Sequence, residues 1–183
     1  VKKIDNLIVR GSINDSFANF GENKKSIHLV LGLIKGKRMD LAIEKSVEFG
    51  VKSIHPILFE RSIKKRLNIE RLNKIIISSA KQTGRSVFPE IKKITKFPDW
   101  IKKYKNDNSF ACHFSGKFKI KNIVNSKTND IMIIVGPEGD FSDSEIELLN
   151  VSKVPLVNLG PRRLRTESAC ISSIIETNDA IER

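Results

Sequence analysis

Apolar residues along the chain follow two alternating patterns. Short, nearly continuous runs mark strands buried on both faces, and four-residue repeats mark helices with one buried side. Ile27-His28-Leu29-Val30-Leu31-Gly32-Leu33-Ile34 is the first such run and predicts a strand. Met39, Ile43 and Val47 then recur every fourth position beside Ala42, which predicts a helix. Gly50 stands where a helix end favours a left-handed residue. Ser53 to Leu58 predicts a second strand, followed by a basic loop from Glu60 to Arg66. A second helix carries Ile69, Leu72, Ile76 and Ala80 on one face and ends near Gly84. The theme repeats with strands at Phe110–Phe114 and Ile131–Val135, a helix from about Asp143 to Asn150, and a short strand at Pro155–Leu159. A closing helix is expected from Glu167 to Arg183, with Ile171, Ile174, Ile175 and Ile181 on or near one face. That face suits core packing and a subunit contact equally well. Strands alternating with helices predict an α/β fold with a mostly parallel sheet. Ahead of it, Ile4 to Ile13 alternates around Leu7-Ile8-Val9 as one or two short strands. Asp15 to Lys25, with Gly21, reads as a polar linker.

The 183 residues suit one domain with a short appendage, and a hydrophobic share of 39% can build a core without disulfide or metal staples. Disordered and fibrous classes are excluded. Thirty-three Lys and Arg against 21 Asp and Glu give a net charge of +12. A surplus of that size favours an anionic partner, nucleic acid first, over a lysine coat that merely solubilises. Cys112 and Cys170 lie far apart in apolar contexts and read as buried thiols of a reducing compartment. No apolar run approaches the length of a membrane span and no signal peptide is visible, so a cytoplasmic location is expected. The chain opens on Val1-Lys2-Lys3 without an initiator methionine, so a segment upstream is expected.

Several familiar chemistries fail at the level of spacing. Gly32-Leu33-Ile34-Lys35-Gly36-Lys37 is one residue short of a nucleotide-binding P-loop, and Arg38 stands where that loop needs a magnesium-binding hydroxyl. No G-x-G-x-x-G follows a strand, and no G-x-S-x-G elbow appears. His28, His55 and His113 sit in or beside apolar strands, where histidines are more often satisfied core groups than ligands, and no Cys/His spacing fits zinc. Hydrolase, metalloenzyme and NTPase readings weaken together.

Three segments carry positive signals. Val135-Gly136-Pro137-Glu138-Gly139-Asp140-Phe141-Ser142 joins the best strand to a helix. Its glycines permit a sharp turn and close approach to a ligand, and Ser142 with Glu145 forms a capping box. A rigid turn at a strand's C-terminal end is where α/β proteins place ligands. Leu159-Gly160-Pro161-Arg162-Arg163-Leu164-Arg165 crowds three arginines into one loop. Such a loop would be self-repelling unless the guanidiniums meet phosphate or a base edge. Lys81 to Pro89 breaks a helix into a loop that presents Gln82 and Arg85.

In their order these segments resemble the bacterial ribosomal RNA small subunit methyltransferase E family of the SPOUT (trefoil-knot) superfamily. The resemblance runs through Lys35 to Val51, Pro56 with Glu60-Arg61-Ser62, Gln82 to Pro89, Gly136 to Ser142 and Leu159 to Ala169, and so covers the chain from about Ile27 to its C-terminus. It implies helices on both faces of the sheet, a deep C-terminal trefoil knot and the remnant of a PUA-like RNA-binding β-barrel within the first 20 residues. The expected division is therefore a remnant and linker over 1–25 and a methyltransferase domain over 26–183. The implied cofactor is S-adenosylmethionine and the implied reaction is N3-methylation of a uridine (uracil 1498) in 16S rRNA of the small ribosomal subunit. A homodimer with active sites at its interface is expected, with no metal and no membrane. Two positions depart from the family pattern. Asp140 replaces the second glycine of the G-P-E-G-G loop, with a bearing on loop geometry or cofactor affinity. Arg163 replaces an aliphatic residue and adds a cation for RNA.

The resemblance assigns cofactor contacts to His113, Phe114, Val135, Gly136, Pro137, Glu138, Gly139, Leu159, Gly160, Leu164 and Arg165. Arg165 and Arg85 are expected to stabilise charge on the uracil carbonyls, and Gln82 to position the base edge. Glu138 and Glu167 remain alternatives for the general base. RNA contacts are expected from Arg38, Arg61, Arg85, Arg162 and Arg163. The alternatives are another SPOUT methyltransferase acting on tRNA or on a ribose 2′-oxygen, and a non-catalytic RNA-binding assembly factor.

Overall fold

The computed structural model describes residues 3–5, 8–104, 108–124 and 129–182. Along them run β1 (Lys3–Asp5), β2 (Ile8–Arg10), β3 (Ser26–Gly32), α1 (Gly36–Glu48), β4 (Val51–Leu58), α2 (Ile69–Gln82), β5 (Glu90–Ile91) and β6 (Thr95–Lys96). They continue with α3 (Phe97–Lys103), β7 (Ser109–Cys112), β8 (Asp130–Val135), α4 (Asp143–Val151), β9 (Leu156–Val157) and α5 (Thr166–Glu182). A single 3-10 turn, Ile120–Asn122, lies between β7 and β8. Leu7 and Arg183, which the apolar pattern placed in a strand and at the end of the closing helix, lie outside the described residues.

β1 and β2 pair antiparallel and stand apart from a sheet ordered β5-β4-β3-β8-β7-β9, with β6 also on β4. Every pairing in that sheet is parallel. The nearly continuous apolar runs are explained by burial on both sides. Ile27, Leu29 and Leu31 of β3, with Ile131, Ile133 and Val135 of β8, enter the core under α1, α2 and α5. Val30, Met132 and Ile134 face the opposite core, built with Phe97, Trp100 and Ile101 of α3 and Leu149 of α4. Cys112 and Cys170 are both buried free thiols in the first of these cores. Among the described residues no helix is long and apolar enough to cross a membrane.

Local chemistry sets the element ends. Gly50 follows α1 with φ 84°, the left-handed conformation expected of it. Ser142 accepts from the Glu145 N–H while the Glu145 carboxylate accepts from the Ser142 N–H, so the expected capping box starts α4. The pattern did not reveal α3. It spans only seven residues, begins with Phe97-Pro98, and is held by its buried aromatics rather than by a repeating stripe.

The polar stretch read as a linker is partly docked. Asn23 donates through Nδ2 to the Phe49 and Gly50 carbonyls behind α1, each at 3.3 Å, and to Asn178 Oδ1 of α5 at 3.0 Å. Glu22 takes two hydrogen bonds from the Arg85 guanidinium, at 2.5 and 3.3 Å. These side chains add to what α5 supplies, since Asn178 Nδ2 also donates to the Phe49 carbonyl at 2.9 Å, and Glu22 gives the buried cation its carboxylate.

His55 and His28 belong to a hydrogen-bonded chain. Trp100 Nε1 donates to His55 Nδ1 at 3.2 Å, so neutral His55 carries its proton on Nε2 and donates to Ser53 Oγ at 2.9 Å. Ser53 and His28 Nδ1 lie 2.7 Å apart, and His28 Nε2 lies 3.0 Å from Asp130 Oδ1. Burial, then the nearby His28, pushes the His55 pKa down to about 4. Both histidines are satisfied groups, as their apolar setting suggested.

Candidate active site

Parallel strands leave their C-terminal ends on one edge of the sheet, and there the loops after β7, β8 and β9 converge. They enclose a cleft of about 330 Å³ with the start of α5 and Arg38 of α1. That volume lies at the small end of ligand sites. The strands bring in Cys112 and Val135; Gly136, Pro137, Glu138 and Asp140 come from the β8 loop. Leu159, Gly160 and residues 162–165 form the opposite wall, with Thr166 and Ala169 beneath.

Close backbone approach shapes these walls. A Cβ on Gly32 would lie 2.5 Å from the Pro137 nitrogen, so the end of β3 seats the β8 loop only as glycine. On the other side, Phe118 forms a parallel bridge with Val157, which places β9 between β7 and residue 118. A Cβ on Gly116 would lie 2.4 Å from the Val157 carbonyl carbon. Asn158 ties the loops together: its Nδ2 donates to the Phe114 carbonyl and its Oδ1 accepts from the Gly160 N–H at 2.7 Å. Among the described residues the main chain of 161–164 makes no hydrogen bond, which leaves its polar groups available to a ligand.

Charge in the cleft is unevenly spent. Arg38 Nη1 donates to Glu138 Oε1 at 2.6 Å, and Arg163 Nη2 to Asp140 Oδ2 at 2.9 Å. Among the described residues the guanidiniums of Arg162 and Arg165 have no partner. Burial pushes the Cys112 pKa up to about 12, so this thiol stays protonated and is no nucleophile at neutral pH. No group of three or more His, Cys, Asp or Glu among the described residues is placed to hold a metal ion.

The structure brings together His113, Phe114, Val135, Gly136, Pro137, Glu138, Leu159, Gly160, Leu164 and Arg165, all expected cofactor contacts, with Arg38, Arg162 and Arg163. Gly139 does not line the cleft. It packs against Arg61, whose guanidinium donates to the Phe141 carbonyl at 2.9 Å and the Gly139 carbonyl at 3.4 Å. Arg61, expected to contact RNA, is thus a brace for the β8 loop.

Arg85 requires correction. Its side chain is only 2% exposed, and besides Glu22 it donates to the Val47 and Val51 carbonyls at 3.1 and 2.8 Å. A guanidinium so enclosed neither reaches a base nor contacts RNA; it is a structural cation. Gln82 is exposed at the end of α2 but does not line the cleft. Glu167 is buried at the start of α5, also outside the lining, and its Oε2 has no hydrogen-bond partner among the described residues. Of the isoleucines on α5, Ile174 is core whereas Ile175 faces outward, 44% exposed.

Asp140, expected to bear on cofactor affinity, also lines the cleft, and Cys112, Asn158, Thr166 and Ala169 line it without having been named as contacts. Cys112 and Asn158 were detectable in principle, since each ends or follows a strand at the binding edge. The others depend on how the final loop folds back.

Residues 21–176 match the RNA methyltransferase domain family. The ribosomal RNA small subunit methyltransferase E of Rickettsia conorii is 35% identical over 84% of this chain and 64% of its own length. Its counterpart in Mesomycoplasma hyopneumoniae is 30% identical over 88% of this chain and 73% of its own length. The crystal structure of that enzyme from Neisseria gonorrhoeae, bound to S-adenosyl methionine, superposes with a TM-score of 0.79 at 29% identity, covering 85% of this chain and 66% of that one. The chain thus spans a little under two thirds of the Rickettsia relative.

Proposed function

The chain belongs to the ribosomal RNA small subunit methyltransferase E family of RNA methyltransferase domains, and from that premise we propose that its cleft transfers a methyl group from S-adenosylmethionine to N3 of a uridine in 16S rRNA. The observation that carries this reading is the cleft itself. It lies at the C-terminal edge of a parallel sheet, with apolar Leu159, Leu164 and Ala169 to cover a flat heterocycle and unspent main chain at 161–164 to bind its polar edge. The donor set fits a nucleoside cofactor. Bound there, S-adenosylmethionine supplies an electrophilic methyl group on a sulfonium.

The remaining work falls to the chain. Uracil N3 carries a proton and is paired in a helix, so the base must be exposed, and the N3–H bond breaks as the N3–methyl bond forms. Arg165, unpaired and at the cleft, stabilises the negative charge that spreads onto the uracil carbonyls. Glu138 is the better placed of the two candidate bases, because it lines the cleft and Glu167 does not. Arg38, Arg162 and Arg163 border the same opening and supply cations for the RNA backbone.

The reading has four further parts. A trefoil knot is favoured by the path of β9 between β7 and residue 118, with α5 packed back against the Ile120–Asn122 turn. The antiparallel β1–β2 pair is assigned to a PUA-like barrel remnant. A homodimer is favoured by the outward Ile175 on α5, and a cytoplasmic location by the rRNA substrate.

Calorimetry with S-adenosylmethionine tests the cofactor, and turnover tests the chemistry. Arg165→Ala removes the guanidinium but leaves the main chain that would contact the cofactor, so binding should stay measurable while kcat falls at least about a hundredfold. An unchanged kcat removes Arg165 from the mechanism. Absence of binding at millimolar cofactor favours a non-catalytic RNA-binding module instead.

A further inference from the structure

We propose that Asp140 and Arg163 form a positioning pair, an ion-paired strap across the mouth of the cleft that retains the bound nucleoside; this rests on reading the cleft as the S-adenosylmethionine site. The two residues are 23 positions apart and rim opposite walls, Asp140 on the loop after β8 and Arg163 on the loop before α5. Their contact, Arg163 Nη2 to Asp140 Oδ2 at 2.9 Å, spans from one wall to the other. The bond needs a carboxylate at one end and a guanidinium at the other, so an apolar residue at either position removes it.

The geometry gives each end a distinct role. Asp140 is the fixed post. Its N–H closes a turn onto the Pro137 carbonyl at 3.0 Å, and its Oδ1 accepts from the Phe141 N–H at 2.9 Å, which leaves Oδ2 aimed across the cleft. Its φ of 63° is left-handed, a conformation that aspartate takes more readily than most residues. His113 Nε2, on the third loop, lies 3.6 Å from the same Oδ2. Arg163 is the movable arm, with its side chain 70% exposed. An exposed ion pair contributes at most about 1 kcal/mol, which corresponds to about a fivefold change in rate. The strap therefore slows exchange of the occupant without locking it.

Dissociation of S-adenosylhomocysteine, followed by stopped flow on wild type, Asp140→Gly, Arg163→Leu and the double variant, tests the strap. Asp140→Gly keeps the turn, because glycine takes that φ without strain. Each single variant should release the ligand about two- to fivefold faster, and the double variant no faster than the faster single one. High salt should speed release from wild type but leave Asp140→Gly nearly unchanged. Unchanged rates, or single effects that multiply in the double variant, overturn the proposal. Melting temperatures of the four ligand-free proteins separate this failure from failure of the cofactor reading. Non-additive melting with no S-adenosylhomocysteine binding overturns the cofactor reading and the retention role, but not the ion pair. Additive melting overturns the ion pair itself.

Discussion

Replacing Glu22 by alanine tests whether Arg85 is a structural cation or a working one. The carboxylate holds the Arg85 guanidinium by two bonds and accepts from the Val87 N–H at 3.0 Å. Burial works against its ionisation, but the Arg85 hydrogen bonds and the Val87 N–H outweigh it and hold the carboxyl below its ordinary range. Removing one partner of a buried pair costs about 3–5 kcal/mol. The lower end applies here, because Arg85 keeps the Val47 and Val51 carbonyls and the Glu22 side chain is 13% exposed. A loss of about 3 kcal/mol in a domain of this size lowers Tm by about 6–12 °C. Thermal and urea unfolding followed by circular dichroism read the loss, and kcat measured well below the new Tm reads the chemistry. The account predicts a large fall in Tm with kcat close to wild type. A Tm within about 2 °C of wild type together with lost turnover would refute it and return Arg85 to the active site.

Other outcomes follow from the same coordinates. The His55 pKa near 4 lies below its ordinary 6.5, so the folded state favours the neutral ring. The corresponding stability, about 3 kcal/mol, is fully present above pH 6.5 and is lost as pH falls toward 4. An NMR titration of the His55 ring should show a midpoint near 4, and a midpoint near 6.5 would contradict the buried chain through Ser53 and Trp100. Gly32→Ala puts a methyl against the Pro137 nitrogen, so cofactor affinity should fall at least about tenfold and stability by about 1–3 kcal/mol; unchanged binding by calorimetry would show that the β8 loop is not seated by β3.

The sheet was legible in the sequence because its strands are buried on both faces, which writes Ile131–Val135 as an unbroken apolar run and Ile27–Leu31 as one broken only by His28. Gly50 and the Ser142–Glu145 box were legible because their chemistry is local. The cleft was legible where motif residues sit at strand ends, as with Gly136 and Leu159. Pairings between distant residues were not. Arg85 carries the same guanidinium as Arg165, and only Glu22, 63 positions away, makes it structural. Asp140 and Arg163 likewise looked like separate oddities until folding set them 2.9 Å apart. The short helix α3 stayed hidden because Phe97 and Trp100 are held by tertiary aromatic packing.

The most direct test of the central claim is nucleoside mass spectrometry after incubating the purified protein with S-adenosylmethionine and small ribosomal subunits from cells lacking the modification. The account predicts 3-methyluridine in 16S rRNA, abolished by Arg165→Ala. Label on a ribose 2′-oxygen, or no methylated uridine from a protein that binds the cofactor, would contradict it.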